Sequence, residues 1–108
     1  MEPDILSAMN DAIQAPTMPA RLYMVIEKFR DPAAVYRRFQ ERGRLAPEGL
    51  LYVSSWIDEN VQRCFQLMET KDLRLLQEWM ENWDDLVDFE VFPVISSQEA
   101  ADKILAKR

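Results

Sequence analysis

The feature that most restricts the fold is a pair of β-type runs, Leu51 to Ile57 (LYVSSWI) and Val61 to Glu69 (VQRCFQLME), separated only by Asp58-Glu59-Asn60. Branched and aromatic residues favour extended backbone, and so short a polar break between two such runs predicts an antiparallel hairpin. Side chains alternate along strands, so the hairpin divides its residues between two faces. With residues 58–60 as the loop, Ile57 lies opposite Val61, and Leu51, Val53, Ile57, Val61, Phe65 and Leu67 share a face suited to a cover of helices. Tyr52, Ser54, Trp56, Gln62, Cys64, Gln66 and Met68 share the other. A slip of one residue in register exchanges the two sets.

Around this hairpin the chain alternates strand and helix signals. Arg21 to Arg30 (RLYMVIEKFR) is nearly continuous in β-favouring residues, as in a central strand covered on both faces. Asp31-Pro32 then supplies an N-cap and a proline at the first helical position, Val35, Tyr36 and Phe39 form one stripe, and Gly43 is the stop. Thr70 is placed to cap a second helix bearing Leu73, Leu76, Trp79 or Met80, and Trp83. Trp79 and Trp83 are four residues apart and are expected to pack on the sheet. Val87 to Ile95 alternates again as a fourth strand, with Pro93 pointing to an edge or a bulge. Ser96-Ser97-Gln98-Glu99 has capping-box spacing and opens a last helix carrying Lys103, Lys107 and Arg108 towards its end.

The order strand, helix, strand, strand, helix, strand predicts an α+β ferredoxin-like βαββαβ domain over residues 21–108, with a four-stranded antiparallel sheet and its helices on one face. Residues 1–20 read as an N-terminal arm and linker: a short amphipathic helix over 4–14, bearing Ile5, Leu6, Met9, Ala12 and Ile13, then a proline-broken stretch from Ala15 to Pro19. The helices leave one sheet face bare. A face mixing Tyr52 and Trp56 with Ser54 and Gln66 suits neither water nor an ordinary core, so we expect it to be buried against a second copy of the chain, as a homodimeric α/β barrel with a cavity between the sheets.

Several segments in order, LYMVIEKF, AVYRRFQERGR, APEGLLYVSSWIDE, RCFQLMET, LLQEWMENWDDLVDFEVFPV and SSQEAA, resemble a bacterial family of unknown function assigned to the dimeric α/β-barrel superfamily. The resemblance covers about residues 22–101 and implies the same fold and a homodimer. It does not select a chemistry, since that superfamily includes cofactor-independent monooxygenases, haem-degrading enzymes, polyketide cyclases and stress-related proteins.

Composition narrows the chemistry by exclusion. The formal charge is −6, so neither nucleic acid nor an anionic membrane surface is an expected partner. No run approaches the length and hydrophobicity of a membrane span or a secretory signal, and Cys64 is the single cysteine, as in a cytoplasmic protein. Histidine is absent, which removes Ser-His and Cys-His nucleophiles, HExxH zinc sites and the usual ligand for haem. No metal or cofactor is expected.

Carboxylates are then the remaining acid–base groups. Glu27 in the first strand and Glu90 in the fourth fall on neighbouring strands and are candidates for a catalytic pair, against the alternative that each pairs with an arginine or faces water. Tyr23, Tyr52, Ser54, Trp56 and Gln66 are candidate ligand-binding residues, aromatic area with a few polar groups to orient a small hydrophobic molecule, and dimer packing is the competing use of them. Cys64 faces the expected cavity beside Arg63 as a reactive thiol or an inert buried one. Residues 21–44 carry seven basic and three acidic groups, and 69–90 carry two basic and eight acidic, so the two helical regions are electrostatically complementary; an anion site on Arg37, Arg38, Arg42 and Arg44 is the alternative. The function classes that follow are a small-molecule pocket, binding or catalysing without a cofactor in the monooxygenase or cyclase manner, and a non-enzymatic homodimeric interaction module.

Overall fold

A computed structural model describes residues 19–106. The elements run β1 (Arg21–Phe29), α1 (Pro32–Arg42), β2 (Leu50–Ile57), β3 (Arg63–Thr70), α2 (Leu73–Glu81), β4 (Val87–Val94) and α3 (Ser97–Ala106). The strands form one antiparallel sheet in the order β2-β3-β1-β4, the ferredoxin-like arrangement expected from the sequence, with β1 and β3 central. The helix expected over 4–14 and the last two residues of the C-terminal helix lie outside the described residues. No helix among the described residues is long and apolar enough to cross a membrane.

Local chemistry sets the helix boundaries. The Asp31 side chain accepts a hydrogen bond from Ala34 N at 3.1 Å, Pro32 opens α1, and Gly43 ends it at a φ of 75° while donating to Phe39 O. For α2 the cap is Asp72 and not Thr70: Asp72 accepts from Arg74 N at 2.9 Å. Thr70 is the buried last residue of β3, and its hydroxyl donates to the Gly49 carbonyl at 3.0 Å, tying the ends of β2 and β3 together. The capping box forms as expected, with Ser96 Oγ accepting from Glu99 N at 3.0 Å.

The register of the hairpin differs from the expected one, and this moves residues between faces. Ile57 pairs with Cys64, because the turn runs from Asp58 to Arg63. Asp58 N donates to Arg63 O, the Asp58 carboxylate accepts from the backbone N–H groups of Gln62 and Arg63, and Val61 takes a φ of 58°. In addition, β2 carries a bulge between Tyr52 and Ser54. An extra residue in one strand inverts the alternation beyond it. As a result Cys64, Gln66 and Met68 lie under the helices, along with Tyr52, Ser55 and Ile57. Phe65 and Leu67 take the bare face with Leu51, Ser54 and Trp56.

The core fills the space between the sheet and α1 and α2. Tyr23, Val25 and Phe29 from β1, Met68 from β3, Val87 from β4, Val35 from α1, and Leu76 and Trp79 from α2 are all buried, together with Trp83 just beyond α2. The ring of Trp79 lies 5.9 Å from that of Phe89, so Trp79 anchors α2 in the core as anticipated, and Trp83, past the end of the helix, is buried as well. The charge complementarity is also realised. Arg38 grips Asp85 through two bonds of 2.8 and 2.7 Å, and Arg30 reaches Asp88 at 2.7 Å. Met68 has no exposed surface, so Met68→Ala should lower the unfolding free energy by about 2–5 kcal/mol. Urea unfolding should report this as a lower midpoint with an unchanged slope.

Candidate functional site

The helix-covered side of the sheet is not filled completely. A cavity of about 170 Å³ opens between α1 and the β2–β3 half of the sheet. Its floor is Glu27 and Phe29 from β1, Cys64 and Gln66 from β3, and Ser55 and Ile57 from β2. Val35, Tyr36 and Phe39 of α1 form one wall, and Trp79 and Trp83 close the far side. Arg44 comes from the loop joining α1 to β2. Phe29 and Tyr36 meet edge to face, their centroids 6.1 Å apart, and this contact holds α1 against β1 at the rim.

Glu27 is the anomaly of β1. The strand places Tyr23, Val25, Glu27 and Phe29 on its helix-facing side, so alternation puts a carboxyl where its neighbours are apolar and buried. Among the described residues no group hydrogen-bonds that carboxyl. Burial pushes its pKa from 4.5 up to about 7, with the charge of Arg44 opposing the rise.

Arg44 is held in place from both ends. Its carbonyl accepts hydrogen bonds from Trp79 Nε1 at 3.1 Å and Trp83 Nε1 at 2.9 Å. Its guanidinium lies 3.8 Å from the ring centroid of Tyr52 and 5.3 Å from that of Phe39. Tyr52 is itself fixed by a 2.8 Å hydrogen bond between its hydroxyl and that of Ser55.

Cys64 is the direct cross-strand partner of Glu27. Burial, reinforced by the Glu27 carboxylate, pushes its thiol up to about 12, and Sγ donates weakly to Gln66 Oε1 at 3.8 Å. The Gln66 amide in turn donates to Met68 Sδ at 3.3 Å. This is a neutral, protonated thiol within a buried polar chain and not a thiolate nucleophile.

Four of the expected site residues therefore adjoin the cavity: Glu27, Cys64 and Gln66 line it, and Tyr52 stacks on its arginine. The others do not. Glu90 cannot pair with Glu27, because Ile26 is its partner across β1 and β4, so adjacent registers send the two carboxylates to opposite faces. Ser54 and Trp56 lie on the bare face, as expected, opposite Leu67 and Phe65, and Trp56 is 71% exposed there. Tyr23 is buried in the core nearer the far end of β1 and does not line the cavity. Tyr36, Phe39 and Ser55 were missed as site residues, and Arg44 was singled out only as one member of an anion site with Arg37, Arg38 and Arg42. Sequence offered a signal for two of them, a stripe on the first helix for Tyr36 and Phe39, but nothing marked which loop residue would return over the sheet.

A family model described as Domain of unknown function (DUF3303) matches residues 21–108. No curated protein and no solved structure matches the chain.

The buried carboxyl makes stability depend on pH. Between about pH 4.5 and pH 7 the folded chain retains a proton on Glu27 that the unfolded chain has released, so this group's contribution to stability falls as pH rises through that window and is level above it. At roughly 1.4 kcal/mol per pH unit the full loss is about 3 kcal/mol. Glu27→Gln should remove it: compared with wild type, the variant should gain about that much in urea unfolding at pH 8 relative to pH 5. Equal pH profiles for the two proteins would show that the carboxyl is not desolvated. Cys64 should react with a thiol reagent roughly 100-fold more slowly in the native protein than in urea.

Proposed function

The chain belongs to the DUF3303 family of domains of unknown function, and from the site it carries we propose that it is a small-molecule-binding protein whose pocket performs acid–base chemistry without a cofactor. The observation that carries this reading is the Glu27 carboxyl, without a hydrogen-bond partner among the described residues, in the floor of a cavity walled mainly by aromatic and aliphatic side chains. This cavity lies on the helix-covered side of the sheet and not between two sheets, where one was expected from the sequence. A cavity of about 150 Å³ admits benzene, so this one suits a ligand built on a single ring, with any larger part extending through the open rim between Tyr36, Phe39 and Ile57. Glu27 has the residence and the pKa of a general acid–base group acting near neutral pH, the proton-transfer role that a cofactor-independent monooxygenase or cyclase would need.

The same proposal places the domain in a homodimer formed through the bare sheet face. Met24 and Ile26 of β1 and Phe65 and Leu67 of β3 form the centre of that face, and Leu51, Trp56 and Phe92 stand exposed around it. Lys28 and Arg63 lie beside Asp88 and Glu90 at one end of the same face. A patch that carries both signs next to an apolar centre is able to complement itself across a two-fold axis. Burial of this face would leave the cavity accessible, since the cavity lies on the opposite side of the sheet.

Light scattering at micromolar concentration should give twice the chain mass, and Phe65→Glu should reduce it to that of one chain; a wild-type protein of single-chain mass would reject the dimer. For the pocket, a Trp56→Phe background leaves Trp79 and Trp83 as the only indoles, both of them lining the cavity. One-ring probes such as phenol and phenylacetone should quench or shift their fluorescence saturably. No saturable response to any one-ring probe would reject the binding reading.

A further inference from the structure

Two features of the pocket are unused by the mere burial of a ring. The first is the Glu27 carboxyl, buried without a hydrogen bond from any described residue. The second is Arg44. Arg30, Arg38 and Arg74 each pair with an aspartate, whereas among the described residues the Arg44 guanidinium has no carboxylate within ion-pair distance. Its central carbon lies over the rings of Tyr52 and Phe39, and none of its N–H donors is hydrogen-bonded to a described residue. Two indole N–H groups fix its backbone, so its position does not rely on an ionic partner. A proton acceptor and a cation thus line the same apolar cavity, near enough for the charge of Arg44 to be felt at Glu27, and form no ion pair with each other.

A ligand satisfying both groups gives a proton on one side and presents an oxygen that gains negative charge on the other. We propose that the pocket takes a one-ring carbonyl compound with an acidic C–H next to the carbonyl, and that Glu27 and Arg44 interconvert its keto and enol forms. This rests on the small-molecule reading given above. In the forward step the Glu27 carboxylate takes the α-proton. The C–H electron pair becomes the carbon–carbon π bond, and the carbonyl π pair moves onto oxygen. The Arg44 edge donates hydrogen bonds to the enolate oxygen so formed, where a desolvated cation is worth most. The proton on Glu27 then returns to the oxygen, giving the enol, or to carbon. Nothing is oxidised or reduced and no co-reactant is consumed. A carboxyl that titrates near pH 7 is matched to this task, being ionised enough to accept the proton and basic enough to hold it. The other groups facing it, the Tyr36 hydroxyl from α1 and the Cys64 thiol from β3, are both shifted upward and stay protonated at that pH.

The test is exchange of the methylene protons of phenylacetone for deuterium, followed by NMR in D₂O at neutral pH with the full chain. Exchange should accelerate saturably with protein. Glu27→Gln should reduce the rate by about 100-fold or more while phenylacetone still perturbs the fluorescence of Trp79 and Trp83 in the Trp56→Phe background. Arg44→Gln should slow exchange with its fold intact by circular dichroism. Saturable fluorescence change with exchange at the buffer rate, or wild-type exchange in Glu27→Gln, overturns the enolisation proposal and leaves the binding reading standing. Absence of both signals overturns the two together.

Discussion

Two indole N–H groups converge on one carbonyl oxygen, that of Arg44, and much of the molecule is arranged around that contact. A buried indole needs an acceptor, and Trp79 and Trp83, four residues apart, present two donors in the same direction. The α1–β2 connection supplies the oxygen. The contact joins α2 to the loop that leaves α1, sets the height of that loop over the sheet, and delivers the arginine's side chain between Phe39 and Tyr52. Arg38 strengthens the same joint, gripping Asp85 beyond α2 while lying 5.4 Å from the ring centroid of Trp83. With the helices held in this way the cavity is bounded by fixed walls.

Within those walls the Glu27 carboxyl works against stability. An apolar residue at its position would remove the desolvation, and an ion pair with Arg44 would relieve it, but neither is present. Strain of this type is tolerated where a site needs a group whose protonation state responds near neutral pH. The neighbouring thiol is affected in the opposite sense for chemistry: the burial and the carboxylate that surround Cys64 raise its pKa and keep it inert. Two titratable groups paired across β1 and β3 therefore differ in protonation behaviour, one near neutrality and the other held far above it.

The two faces of the sheet divide the labour. The covered face carries the core and the pocket. The bare one carries an apolar centre with mixed charge at one end. The division depends on a turn of modest size, in which the Asp58 carboxylate accepts two backbone N–H groups and lets Val61 adopt a left-handed φ. That turn sets Ile57 against Cys64 and Ser55 against Gln66 on the pocket side, and the bulge after Tyr52 then brings Tyr52 to the same side.

Element identity and order were legible in the sequence, since the proline and glycine boundaries, the aspartate cap of α1, the capping box of α3 and the periodicities are local effects acting over a few residues. So was the special character of Glu27, a carboxyl interrupting a nearly continuous apolar strand. Which face each side chain of β2 and β3 takes was not legible: alternation has a period of two, and a turn longer by an odd number of residues, here three, or a single bulge, inverts it without changing the composition of either strand. For the same reason Glu27 and Glu90, both placed correctly on adjacent strands, point to opposite sides of the sheet. Arg44 was legible only as one member of a basic cluster, and its place over the sheet was not. Its surroundings, two indoles, two aromatic rings and a carboxyl, come from four separate segments, and only the packing of those segments brings them together.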